Sequence, residues 1–148
     1  GSSSMSKQNV QYEVVKDEDA YLFSIERIIL EKMEKSPVIV FVDFKNKIGK
    51  ISKLCAEIGA QFESAKDSDE LRLLRGTMRS MDRGVIATLD EFGRGVDLRC
   101  KVDSFVIIGF LPKMMNEVTQ MTGRGSRTMK ISHSKIICID KHMTEMNV

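Results

Sequence analysis

Residues 38–42 of this chain read Val-Ile-Val-Phe-Val and lie between Pro37 and the polar stretch Asp43–Asn46. The run is rich in β-branched residues and does not alternate with polar ones, which is typical of a parallel strand covered on both faces. Proline disfavours helical conformation in the residue before it, so Pro37 separates this strand from the segment upstream. We therefore predict a central parallel strand at residues 38–42.

Helical patterns flank this strand on both sides. Apolar residues recur at three- and four-residue steps from Asp19 to Lys35 and again from Ile48 to Ile58, where Gly59 occupies a position typical of a left-handed C-cap. Similar patterns predict strands at residues 61–64, 85–89, 104–109 and 135–139, and helices at residues 68–81 and 112–121. This alternation predicts an α/β fold with a mainly parallel sheet and helices on both faces.

Length and composition favour one globular domain. The chain has 148 residues, 42% of them hydrophobic, and none of its apolar runs approaches the roughly 20 residues of a membrane-spanning helix. We therefore expect no membrane insertion. The sequence divides into a tag remnant at residues 1–4, an N-terminal extension of weak periodicity at residues 5–18, and a domain at residues 19–148. The net charge of only +2 means that any basic binding site has to be local.

The three cysteines indicate an intracellular protein, in the cytoplasm or the nucleus. Cys55, Cys100 and Cys138 are widely and unevenly spaced, which suits reduced thiols better than a disulfide framework. His133 and His142 flank Cys138, but this cysteine lies within an apolar run that a strand would bury. We therefore expect no metal site.

Two loops are candidates for ligand binding. In parallel sheets ligands gather beyond the carboxyl ends of the strands, which points to residues 43–46 and 90–97. The phosphate-binding loop GxxxxGK[ST] is absent from the sequence, and no GxGxxG fingerprint follows a predicted strand. The chain therefore lacks the sequence features for holding a nucleoside triphosphate by itself.

Two segments of the sequence carry a more specific signal. Residues 87–98 read Ala-Thr-Leu-Asp-Glu-Phe-Gly-Arg-Gly-Val-Asp-Leu, and residues 120–127 read Gln-Met-Thr-Gly-Arg-Gly-Ser-Arg. They resemble motifs V and VI of the C-terminal RecA-like domain of superfamily 2 helicases and translocases, DEAD-like or SecA-like, and residues 37–42 resemble motif IV. The resemblance covers roughly residues 20–140 with the motifs in the family's order. It implies a three-layer αβα domain of the RecA-like type.

The resemblance also implies roles for individual residues at an ATP site shared with a first RecA-like domain of the same parent chain. Arginines three residues apart can offer forked donors to one phosphate group, and the family uses such arginines to stabilise the transferred phosphoryl group. By this resemblance the catalytic set is Arg124, Arg127 and Gln120, and the nucleotide-binding set is Gly95, Asp97 and Arg94. Thr88 by the same resemblance contacts the nucleic acid or relays between it and the nucleotide. Lys45 and Asn46 join Thr88 in the nucleic-acid set because their loop is locally basic and phosphate contacts give affinity. The first domain would hold most of the Mg²⁺ coordination.

The sequence departs from the family at two positions. One residue more than usual separates Thr88 from Arg94, and Met121 stands where helicases often place an arginine. Four arginines recur in and just after the helix predicted at residues 68–81, and they fit a solvated helix face better than a phosphate contact. They are Arg72, Arg75, Arg79 and Arg83.

Several functions are compatible with these patterns. We expect the second RecA-like domain of an ATP-dependent helicase or translocase acting on RNA or DNA, and inactive as a fragment. A SecA-like polypeptide translocase is the alternative within the family. A non-catalytic interaction module of the same fold and a small stand-alone α/β enzyme are the remaining alternatives.

Overall fold

The structure, a computed structural model, describes residues 10–94, 96–123 and 133–140. Within these ranges six strands and four α-helices follow one another. The strands are β1 (Val10–Val15), β2 (Val38–Val42), β3 (Phe62–Ala65), β4 (Val85–Leu89), β5 (Phe105–Ile108) and β6 (Ser134–Ile139). The helices are α1 (Glu18–Lys32), α2 (Lys45–Ile58), α3 (Ser68–Met78) and α4 (Met115–Gly123), with a short 3₁₀ helix at Asp90–Gly93.

The strands form one sheet in the order β1-β6-β5-β2-β4-β3. Every described strand pair is parallel, and β2 is paired on both sides, with Val42 opposite Leu89 of β4 and Phe41 opposite Ile108 of β5. All five residues of β2 are buried, as the unalternating apolar run predicts. The predicted fold class, an α/β domain with a mainly parallel sheet, is confirmed.

Each face of the sheet is covered by two helices. Apolar residues of α1 and α2 form one core with alternate residues of the strands, including Ile25, Ile29 and Ile51. Apolar residues of α3, of α4 and of the segment after the 3₁₀ helix form the second core, including Leu74, Leu98 and Val118. The three layers αβα are therefore present. None of the described helices is long and apolar enough to cross a membrane.

The structure differs from the sequence prediction at residues 10–15. This part of the expected N-terminal extension forms β1, a strand of the same sheet, paired with β6 along its whole length. Its Glu13 carboxylate accepts hydrogen bonds from the Ser24 hydroxyl and the Lys135 ammonium, each at 2.5 Å. Partial burial opposes ionisation of Glu13, but these two donors outweigh it and lower the pKa of the carboxyl. The polar residue is thus accommodated by partners on α1 and β6 that the local pattern does not reveal.

The other elements differ from the predictions mainly at their ends. The capping prediction at Gly59 is confirmed, since this residue ends α2 with φ of 75°. Helix α3 begins after Asp67, whose carboxylate accepts a hydrogen bond from the Glu70 amide, and it ends at Met78 rather than at Met81.

A buried hydrogen bond ties α1 to the carboxyl end of the sheet. The Tyr21 hydroxyl donates to the Gly109 carbonyl oxygen at 2.7 Å, and the Gly109 amide donates to the Phe41 carbonyl at 2.8 Å. A Cβ atom at residue 109 would collide with the Tyr21 hydroxyl, so the close approach requires glycine. The contact fixes the position of the loop that follows β5.

Replacing Tyr21 by Phe removes this hydrogen bond and leaves the Gly109 carbonyl without its buried donor. We expect the free energy of unfolding to fall by about 1–3 kcal/mol. Urea unfolding followed by circular dichroism measures the change. Tyr12→Phe is the matched control, because Tyr12 is 49% exposed and its substitution should alter stability by less than about 0.5 kcal/mol.

The stability difference between wild type and Tyr21→Phe should also depend on pH. Burial, with smaller contributions from the Asp43 and Glu18 carboxylates, raises the pKa of Tyr21 above its ordinary value of 10.0. Above pH 10 the unfolded phenol ionises while the folded one stays protonated, so wild-type stability declines as pH rises. The stability difference between wild type and Tyr21→Phe should therefore shrink above pH 10. A difference that stays constant up to pH 11 would contradict the buried position.

Candidate functional site at the carboxyl edge of the sheet

The ends of β2 and β4 bring two of the predicted loops together. Because Val42 and Leu89 are directly paired in neighbouring parallel strands, the residues that follow them, Asp43 and Asp90, leave the sheet side by side. The loop after β2 leads into α2, and the loop after β4 forms the 3₁₀ helix. The segments that resemble motifs IV and V thus share one edge of the sheet.

The loop after β2 presents a cationic surface. Lys45 and Asn46, the first two residues of α2, are exposed, and Lys45 has no ion pair among the described residues. Lys47 is different, because its ammonium pairs with the Asp43 carboxylate at 2.7 Å and lies 5.0 Å from the centre of the Tyr21 ring. Lys45 and Asn46 are therefore available to a ligand, whereas Lys47 is held by the protein.

Phe44 is a candidate site residue absent from the predicted set. It is the N-cap of α2 but has no side chain that can accept a hydrogen bond from the first turn, and its ring is 63% exposed. Ser, Thr, Asp and Asn are the residues that stabilise this position. The sequence signal was present, since an aromatic residue stood between the end of a strand and a pair of polar helix-starting residues. A large exposed ring at the edge where ligands gather provides a stacking or apolar contact surface.

Thr88 does not reach the surface. It is fully buried near the end of β4, and its hydroxyl donates to the Ala65 carbonyl of β3 at 3.0 Å. This hydroxyl therefore links β4 to β3 within the sheet. Because Thr88 is fully buried, its side chain is not accessible for the expected direct contact with a nucleic-acid strand. An indirect role, through the loop that follows it, is compatible with its position.

The loop after β4 is fixed by a close approach at Gly93. A Cβ atom there would lie 2.7 Å from Cγ of Met121 and 3.0 Å from the Phe41 ring. Met121 itself is fully buried in the core on the α4 side of the sheet. The residue that departs from motif VI of the family thus fills space against motif V.

Arg94 connects the same loop to α4. Its guanidinium lies 3.5 Å from the Asp90 carboxylate and 3.9 Å from the Glu117 carboxylate. These pairs are partly exposed and contribute little to stability. They do hold a cation between the loop after β4 and the helix that leads into the segment resembling motif VI.

Asp97 is engaged on the α3 side of the sheet. Its carboxylate pairs with Nε of Arg99 at 2.8 Å, and its backbone carbonyl accepts a hydrogen bond from Nε of Arg75 at 3.1 Å. A ligand that used the Asp97 carboxylate would therefore compete with Arg99.

The arginine row predicted along α3 divides into two groups. Arg72 pairs with Asp69, and Arg83 pairs with Asp82 and Glu34, in keeping with a solvated helix face. Arg75 and Arg79 instead line a groove on the outer side of α3.

The predicted catalytic residues are described only in part. Gln120 is exposed on α4, which ends at Gly123, immediately before Arg124. Arg124, Arg127 and Gly95 lie outside the described residues.

Thiol and metal chemistry find no support among the residues that the structure describes. All three cysteines are free and buried, and burial raises the pKa of both Cys55 and Cys100 to about 11, which keeps them protonated at neutral pH. Over these same residues no group of three His, Cys, Asp or Glu side chains is placed to hold a metal ion. His142 lies outside them.

Because Phe44 makes no capping hydrogen bond, a residue that can cap α2 should stabilise the domain relative to one that cannot. Phe44→Ser supplies a hydroxyl that can accept a hydrogen bond from the first turn of α2, whereas Phe44→Ala loses the same ring contacts without supplying one. We expect the serine variant to be more stable than the alanine variant by about 1 kcal/mol in urea unfolding. Equal stability of the two variants would show that the first turn of α2 is already satisfied.

Comparisons with known proteins agree with this geometry. No protein-family profile matches the sequence, and no curated protein gives a significant sequence match. Solved structures do match. The C-terminal domain of S. cerevisiae Dbp5, bound to Gle1 and IP6, superposes with a TM-score of 0.68 at 18% identity, over 93% of this chain and 79% of that one.

Two further DEAD-box structures are similar. Domain 2 of the Mss116p helicase bound to an RNA duplex gives a TM-score of 0.68 at 14% identity, over 89% of this chain and 55% of that one. E. coli SrmB bound to the regulator of ribonuclease activity A gives a TM-score of 0.61 at 18% identity, over 88% of this chain and 75% of that one. The resemblance found in the sequence motifs is thus confirmed at the level of architecture, and the chain has the fold of the C-terminal RecA-like domain of DEAD-box helicases.

Proposed function

We propose that this chain is the second RecA-like domain of an ATP-dependent nucleic-acid helicase or translocase. The observation that carries the proposal is the shared carboxyl edge, where the loops after β2 and β4 lie side by side in the order that the family's motifs require. An interaction module would need the fold but not this set of polar and cationic residues at one edge. In keeping with the free cysteines, we propose an intracellular location, in the cytoplasm or the nucleus.

In this proposal the ATP site is shared between two domains. The sequence has no phosphate-binding loop, so a first RecA-like domain holds the triphosphate and most of the Mg²⁺ coordination. Arg124 and Arg127 supply cations to the γ-phosphate from the opposite side, and Gln120 orients the site. Gly95, Asp97 and Arg94 approach the nucleotide from the loop after β4. For Asp97 this approach requires its ion pair with Arg99 to open.

The nucleic-acid contact is proposed for the loop after β2. Lys45 supplies a cation and Asn46 an amide to phosphate oxygens, contacts that give affinity without sequence information. Thr88 acts behind this surface as a relay between the strand contact and the nucleotide. The RNA duplex bound to domain 2 of Mss116p supports the choice of RNA or DNA as the polymer.

A polypeptide substrate is the second candidate, and the exposed ring of Phe44 is the observation that favours it. An apolar ring at the loop that contacts the polymer suits an unfolded peptide as well as a nucleobase. Dbp5 and SrmB were each solved with a protein partner, so a protein-binding role is the third outcome that an experiment has to separate.

ATP turnover by the full-length protein tests the proposal directly. We expect single-stranded RNA or DNA to stimulate hydrolysis, and Arg127→Ala to lower kcat by about 10³-fold, since fingers of this type stabilise charge on the transferred phosphoryl group. Stimulation by unfolded polypeptide alone would assign a polypeptide translocase. The absence of turnover under all conditions would favour the interaction module.

Lys45→Ala tests the nucleic-acid surface in the isolated domain. Binding of a fluorescent single-stranded oligonucleotide, measured by anisotropy at several salt concentrations, should weaken, and the slope of log K against log salt should fall by about one. Lys53→Ala is the control, since Lys53 is exposed on α2 away from its first turn. Equal losses in the two variants would mean that only overall charge matters.

A further inference from the structure

A groove on the outer side of α3 gathers cationic side chains from two separate elements. The groove has a volume of about 250 Å³. Its lining comes from the end of α3, with Arg75 and Arg79, and from the segment that follows the 3₁₀ helix, with Asp97, Arg99, Cys100 and Lys101. Four of these six side chains are cationic and one is a carboxylate. In a chain whose net charge is only +2, this is a strong local excess of positive charge.

The two walls of the groove follow from the local geometry of each element. On one wall, Leu98 and Cys100 are buried, Arg99 is partly exposed and Lys101 is exposed. On the other wall Arg75 and Arg79 are four residues apart and share one side of the helical turn. Each wall of the groove therefore carries two cations, and Cys100 also contributes to the lining.

Asp97 organises the groove without neutralising it. Its backbone carbonyl accepts a hydrogen bond from Nε of Arg75, and its carboxylate forms an ion pair with the Arg99 guanidinium. The bond to Arg75 uses the inner nitrogen of its guanidinium, which carries further donors on its two terminal nitrogens. Arg79 and Lys101 have no ion pair among the described residues.

The dipole of α3 explains only part of this arrangement. Cations in the last turn of a helix interact favourably with its carbonyl end, which accounts for Arg75 and Arg79. It does not account for Arg99 and Lys101, which come from a different element and add like charges to the same groove. Crowded like charges repel one another, and an anion bound among them removes that cost.

We propose that this groove is a binding site for an oligophosphate anion, formed by residues other than Lys45 and Asn46 and bordered by Asp97 of the loop after β4. Guanidinium groups recognise phosphate oxygens through forked donors, and the Lys101 ammonium adds a point charge. The phosphates belong either to a free oligophosphate or to the backbone of a nucleic acid that extends past the domain. The site stands on the groove alone and does not depend on the proposed ATPase.

Calorimetric titration of the domain with inorganic tripolyphosphate at low salt tests the site. We expect a Kd below about 1 mM, weakening as salt is added. The double variant Arg79→Ala/Lys101→Ala should bind at least tenfold more weakly, with unchanged urea unfolding because both side chains are exposed. The control is Lys53→Ala/Arg72→Ala, which removes the same charge from exposed positions outside the groove and should stay within about twofold of wild type.

The source of the phosphates is decided by a second arm. If tripolyphosphate displaces a single-stranded oligonucleotide and the groove variant loses oligonucleotide affinity, the groove holds a nucleic-acid backbone. If oligonucleotide binding is unchanged in the groove variant, the ligand is a free oligophosphate. No tripolyphosphate binding by the wild type at 10-fold above the expected Kd, or equal binding by the groove and control variants, overturns the proposal.

Discussion

Strand β2 is hydrogen-bonded on both sides and buried on both faces, and the rest of the structure depends on it. Its partners β4 and β5 are both parallel to it. Parallel pairing requires each connection to cross over the sheet, which is why helices cover both faces. It also sends the chain out of β2 and β4 at the same edge. The candidate site is thus a consequence of strand direction, before any individual side chain is considered.

The edge combines two loops that differ in the contacts they make. The loop after β4 is fixed by the close approach at Gly93, by the ion pairs of Arg94 and by the buried Thr88 hydroxyl. The start of α2 has the opposite character, because its N-cap residue Phe44 makes no capping hydrogen bond and two polar residues beside it are exposed. The described residues of one loop are therefore packed and paired within the domain, and the other loop presents exposed groups to a polymer.

Much of this arrangement was predictable from sequence, because the decisive patterns are local. The unalternating run of β2, the periodic helices and the C-cap at Gly59 follow from side-chain burial and backbone preference within a few residues. Strand β1 was not predictable from the local pattern, because its charged Glu13 is stabilised by Ser24 and Lys135, which come from other elements of the fold. The burial of Thr88 and the groove around Asp97 depend likewise on neighbours distant in sequence. The motifs located the candidate loops, but the bonding of individual side chains within them required coordinates.

The pairing of β1 with β6 has a consequence for how the chain folds as it is made. Among the described strands β1 comes first along the chain, yet its hydrogen-bonded neighbour in the sheet, β6, comes last. Until β6 has been synthesised, β1 lacks this neighbour, and their pairing is a long-range event. Joining the end of β6 to the start of β1 by a crossover linker, and opening the chain elsewhere, would turn this long-range pairing into a more local one.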